Sequence, residues 1–274
     1  MFPDLDQLYD TLKKQFYVSV PFAVPKQTID EAVESFFSFL QAPEGVKTVI
    51  DFNITPNHRR GDIGYKKRDS DDHIYDDSKE FFHFHPIILD RYADFLEKNP
   101  LVKDFALKAK PIWEVTYQTV DRILSMLDQK FPGAHSKIFN TNNHHIVLRF
   151  LRYDWVKSGK YLAKPHYDAG SFTLAIAENC PGLRIGSGPE NLKIVEHEED
   201  RALFMLSSNF GKVMDAPELS PGWHDVVQVD ESKIGKPFAW GAVVAFIEAD
   251  GVEALPRSET HKWYKPEAEG KTIY

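Results

Sequence analysis

Apolar residues in the first half of the chain recur at helical spacing, and in the second half they come in short runs divided by turns. Over residues 4–15, Leu5, Leu8, Tyr9 and Leu12 fall on one side of a helix. The segment from Phe16 to Val20 reads as a strand closed by Pro21. Thr28 stands three residues before Glu31, a capping-box pattern that predicts a helix opening there and running to about Leu40, before Pro43 and Gly45. Residues 53–79 are polar, rich in Asp, Arg and Gly, and show neither period, so a long loop is expected and with it a candidate lid. The longest helix is predicted over 102–129. Its buried face would carry Ile112, Val115, Val120, Ile123, Leu124 and Leu127, and Pro132 and Gly133 would end it.

From His145 the texture changes. Short apolar runs at 145–153, 171–177, 182–185, 202–206, 225–229, 238–246 and 272–274 alternate with turns, the spacing of a sandwich or barrel. The expectation is one domain over 1–274, with a mostly helical part (1–140) wrapped around a β core (141–274). Twenty Phe, eleven Tyr and five Trp suit such a core, because flat rings pack well on pleated surfaces.

Charge narrows the partners. The chain carries a formal charge of −8, a field that repels phosphate backbones and anionic lipid unless a basic patch overrides it. The candidate patches, Lys66, Lys67 and Arg68 with His58, Arg59 and Arg60, are interrupted by Asp62, Asp69, Asp71 and Asp72. No nucleic-acid or membrane partner is expected. A single cysteine, Cys180, rules out an intrachain disulfide and cysteine-rich zinc sites. With acid near the N-terminus and no apolar run of spanning length, a cytoplasmic enzyme is the expectation.

Candidate chemistry centres on His166, Tyr167 and Asp168. In an extended chain residues i and i+2 share a face, so His166 and Asp168 would project together. A metal held by two such ligands needs a third, and two His with one carboxylate form the facial set of oxygen-activating iron, with coordination positions left open. The bland alternative is a surface pair that merely alternates with Tyr167. Two histidines could complete the set: His224, 56 positions after Asp168, and His261, 93 positions after it. His83 and His85 also alternate, but their aromatic neighbours and Pro86 suit structural, partly buried histidines.

The motif order resembles the isopenicillin N synthase-like family of iron and 2-oxoglutarate-dependent dioxygenases. The strand ending at Tyr153, the His166/Asp168 pair, the run Ser171 to Ile176 and the run Pro181 to Ile185 follow one another as in that family. Phe16 to Pro21, the helix carrying Phe36, Phe37 and Phe39, and the segment Asp77 to Phe81 are similar to its N-terminal part. The resemblance implies a double-stranded β-helix (jelly-roll) core flanked by N-terminal helices. It also implies a non-haem Fe(II) oxygenase that uses 2-oxoglutarate and dioxygen to hydroxylate, desaturate or cyclise a small-molecule substrate. Counting the family's strands, the run at Trp223 precedes the distal histidine, and the run 238–246 holds the expected glycine. That order makes His261 the third metal ligand with His166 and Asp168, the extra length being a loop insertion around 209–221.

In the family an arginine about ten residues past that histidine clamps the far carboxylate of 2-oxoglutarate. Here the position holds Lys271, followed by Thr272. Lys271 either supplies a point charge, with Thr272 assisting, or is a solvated lysine. Tyr153 matches the tyrosine that approaches the bound cosubstrate. An iron oxidase that dispenses with 2-oxoglutarate, a zinc hydrolase, and a non-catalytic jelly-roll binding module are the alternatives.

Overall fold

The computed structural model describes residues 1–54, 62–68, 79–140, 146–153, 161–179, 181–227, 241–249, 251–253 and 255–261. The Asp4 carboxylate accepts the Gln7 backbone N–H at 2.8 Å and the Gln7 side chain accepts the Asp4 N–H at 3.2 Å, a reciprocal box that starts α1 (Leu5–Gln15). Leu8 and Leu12 are buried, on the predicted face. Phe16, left-handed at φ 68°, ends the helix and turns the chain into β1 (Tyr17–Pro21). Helix α2 (Lys26–Leu40) begins earlier than expected. Pro25 is its cap, Thr28 already lies in the first turn with its N–H on Pro25 O at 2.9 Å, and no side chain caps it.

After α3 (Glu44–Lys47) come β2 (Asp51–Asn53), β3 (Asp62–Arg68) and β4 (Lys79–Phe84). Strand β3 corrects the expectation of a continuous loop over 53–79. Ile63, paired with Phe52 of β2, and Tyr65, paired with Phe82 of β4, are buried, a tertiary effect that the Asp and Lys around them conceal in the sequence. Gly64 permits this: at φ +121°, a β-carbon there would lie 1.8 Å from Ile50 O. The rest of 53–79, the candidate lid, lies mostly outside the described residues.

Short α4 (Ile87–Arg91) and α5 (Ala93–Lys98) lead to α6 (Pro100–Asp128), close to its predicted span. Ile112, Val120, Ile123, Leu124 and Leu127 are buried on it, and Val115 is half-buried. Then follow β5 (Ile146–Tyr153), β6 (Tyr161–His166), β7 (Phe172–Glu178), β8 (Leu183–Gly186), β9 (Lys193–Ile194), β10 (Arg201–Leu206), α7 (Phe210–Val213), β11 (Trp223–Val227), β12 (Gly241–Ile247) and α8 (Arg257–Thr260).

The strands form an eight-stranded sheet, β1-β10-β7-β12-β5-β4-β3-β2, and a four-stranded one, β6-β11-β8-β9, with antiparallel pairing throughout. From β5 onward the chain passes repeatedly between the two sheets, which is the double-stranded β-helix. The N-terminal part is more than a helical wrapper: β1 extends one edge of the large sheet and β2 to β4 extend the other.

Strand alternation divides the core. On one face of the large sheet Phe82 and Phe150 meet Phe36 and Phe39 of α2 and Phe105 of α6, rings 5.0–6.3 Å apart. On the other face Leu151, Ala175, Met205 and Ala242 look toward Ala163 and Val226 of the small sheet. That inner space holds the candidate site.

Candidate metal centre

His166 is the last residue of β6, and Asp168 follows just past the strand end with 5% of its surface exposed. Strand β11 runs antiparallel to β6 in the register His224 opposite His166, so the two rings lie 4.4 Å apart. The Nε2 atom of His166 is 3.7 Å from Asp168 Oδ1, and that of His224 is 3.6 Å from Oδ2. One ligand atom from each of the three residues lies within 4.8 Å of the others, the only such group of His, Cys, Asp or Glu among the described residues.

Backbone carbonyls orient both rings. His166 Nδ1 is 2.5 Å from Lys164 O and His224 Nδ1 is 3.0 Å from Gly222 O. A carbonyl only accepts, so each Nδ1 carries the proton and each Nε2 lone pair faces the carboxylate, as metal ligation requires. Burial, and then the neighbouring His224, hold the His166 pKa below its ordinary value and favour the neutral ring that binds metal.

Asp168 is pinned as well. Thr173 donates its hydroxyl to Oδ2 at 2.7 Å and contacts Ser207 Oγ at 2.9 Å. Ser208 donates from its N–H (2.9 Å) and hydroxyl (2.7 Å) to the Asp168 carbonyl. Two imidazoles with Nε2 turned toward one carboxylate, held in advance on one side, fit a divalent ion such as Fe(II). Replacing Thr173 by Val removes the hydrogen bond and keeps the shape. Fe(II) should then bind roughly tenfold more weakly, measured by anaerobic titration.

The third histidine differs from the one expected at this position. The structure brings His166 and Asp168 together with His224; His261 stands beside them. It follows α8, its ring stacked 5.2 Å from that of His166 and its Nδ1 2.9 Å from Thr260 Oγ. The reason is pairing: β11 lies next to β6 in the small sheet, whereas β12, the strand between Trp223 and His261 in the chain, belongs to the large sheet.

The triad opens onto a cavity between the sheets that Tyr153 also lines. Lys271 and Thr272 lie outside the described residues. Two further cavity residues are Lys79, within the segment Asp77 to Phe81, and Arg149; no site role attaches to either from the sequence. Arg149 Nε donates to His83 Nε2 at 2.7 Å, and His83 Nδ1 bonds to Asp62 O at 2.7 Å. Its guanidinium lies 4.5 Å from the ring centres of both Phe81 and Phe246. His83 is therefore a structural histidine, and His85 packs edge-on against Trp113 at 5.0 Å.

No family model and no curated protein matches the chain. Solved structures share its fold. An Arabidopsis thaliana dioxygenase for auxin oxidation, in complex with 2-oxoglutarate, superposes with a TM-score of 0.63 at 14% identity, covering 97% of this chain and 99% of that one. The corresponding rice dioxygenase gives 0.64 at 16% identity over 96% of this chain and 86% of its own. A Shewanella oneidensis protein assigned as an oxygenase gives 0.65 at 15% identity, over 94% and 91%. The architecture is thus the one found in 2-oxoglutarate/Fe(II) oxygenases. No helix among the described residues is long and apolar enough to cross a membrane.

Proposed function

We propose that this chain is a single-domain, mononuclear non-haem Fe(II) oxygenase of the isopenicillin N synthase-like type, using 2-oxoglutarate and dioxygen to oxidise a small organic molecule. The observation that carries this reading is the preorganised set His166, Asp168 and His224, with ligand atoms within 4.8 Å, at the mouth of a cavity in a double-stranded β-helix. The neighbours described as complexes with 2-oxoglutarate support the cosubstrate, and the order of motifs from Phe16 to Ile185 supports the type.

Iron with 2-oxoglutarate would supply the oxidising power toward an unactivated C–H bond. The protein's own share follows from its side chains. His166 and His224 offer Nε2, Asp168 offers a carboxylate oxygen, and the hydrogen bonds behind them fix where a metal sits. Leu151, Ala175, Val226 and Val244 make the cavity wall apolar, which keeps bulk water from the reacting groups. The Tyr153 hydroxyl gives that wall a hydrogen-bonding group for a polar cosubstrate.

The test is an anaerobic Fe(II) titration of the apo-protein, with and without 2-oxoglutarate, followed in the visible range. A weak charge-transfer band should appear only with both present and vanish in Asp168→Ala. Iron binding without the band would point to an oxidase that dispenses with 2-oxoglutarate. No iron binding would defeat the reading altogether.

A further inference from the structure

2-Oxoglutarate carries a carboxylate at each end, and one of them must be held by the protein away from the metal. Among its described residues strand β12 supplies no cation for this: those lining the cavity are Ala242, Val244 and Phe246, and no residue from Gly241 to Ile247 is cationic. On the opposite side of β5, strand β4 begins with Lys79, in register with Tyr153. Lys79 is only 7% exposed, its ammonium lies 5.3 Å from the Tyr153 ring centre, and both residues line the cavity shared with His166, Asp168 and His224.

We propose that Lys79, beside Tyr153, is the anchor for the far carboxylate of 2-oxoglutarate, the role expected from the sequence at Lys271. This rests on the function proposed above. An ammonium in a largely apolar cavity gives a carboxylate a charge-assisted hydrogen bond, and the neighbouring phenol can donate a second. Lysine is a point charge, so it asks less of the carboxylate's orientation than an arginine fork does.

The strand that presents Lys79 is held firmly. Its neighbour Glu80 pairs with Arg152 on β5, accepts the Tyr65 hydroxyl at 2.5 Å and lies 3.5 Å from the Lys47 ammonium. Glu178, also on the cavity wall, faces His197 at 3.9 Å. Arg149 is the other Lys or Arg that lines the cavity among the described residues. It sits opposite His83, four residues from Tyr153 along β5, about 13 Å at roughly 3.3 Å per residue. With Nε engaged by His83 and two rings around its guanidinium, it belongs to a different part of the wall.

The experiment compares 2-oxoglutarate with 2-oxopentanoate, which has the same chain length and lacks the far carboxylate, in Fe(II)-loaded protein without oxygen. The wild type should bind 2-oxoglutarate at least about tenfold more tightly. Lys79→Met should erase that preference while leaving Fe(II) affinity unchanged; Arg149→Met and Lys271→Met should keep it. If Lys79→Met also loses iron, Lys79→Gln decides in its place. A preference that survives loss of the Lys79 charge, or disappears with Arg149 or Lys271, overturns the anchor and leaves the function standing. A wild type that binds iron but neither oxo acid overturns the cosubstrate reading and the anchor with it.

Discussion

His224→Ala is expected to lose Fe(II) binding, with a Kd raised by at least about a hundredfold, while His261→Ala stays within a few-fold of the wild type. The difference follows from what each ring faces. His224 points Nε2 at Asp168 from 3.6 Å, with its other nitrogen fixed on Gly222 O. His261 contacts Thr260 through Nδ1 and lies against the His166 ring, so removing it takes away a stacking partner and leaves all three donors in place. Equilibrium dialysis against Fe(II) under nitrogen measures both variants. The reverse result, iron lost with His261 and kept with His224, would restore the ligand set expected from motif order and would require the chain after α8 to turn inward.

The two halves of that site were unequally legible for a physical reason. His166 and Asp168 are two residues apart, so local geometry alone suffices to bring them together. The third ligand depends on which strands pair, a property of the whole sheet. Spacing alone leaves His224, 56 positions after Asp168, and His261, 93 positions after it, both open, and the order of motifs favours His261. In that order β11 and β12 are successive steps toward a later strand, but β11 pairs with β6 and β12 lies between β5 and β7 in the other sheet. Lys79 and Arg149 were hidden for a similar reason. Lys79 lies in the family-like segment Asp77 to Phe81, but nothing in that segment says which way it faces; the register with β5 does. Helix α6 was readable because its apolar residues keep the 3.6 period over many turns, whereas β3 lacked any comparable run.

Phe105→Ala should destabilise the fold by about 3–5 kcal/mol, the range for emptying a buried aromatic site that cannot collapse. Phe105 is fully buried, and its ring lies 5.0 Å from Phe150, 5.2 Å from Phe82, 5.5 Å from Phe36 and 5.6 Å from Phe39. It is therefore the point where α6, α2, β4 and β5 converge. Urea unfolding followed by tryptophan fluorescence measures the loss, and Leu107→Ala, on the same helix but half-exposed, should cost under about 0.5 kcal/mol. Iron affinity of the folded fraction should hold, because His166 and His224 stand on the small sheet, away from this packed face. Affinity for 2-oxoglutarate should be the more sensitive quantity, since Lys79 alternates with residues of β4 that rest on Phe105. A loss below about 1 kcal/mol would mean that α6 does not close over the large sheet, and the orientation of β4, with Lys79 on it, would then lose its support.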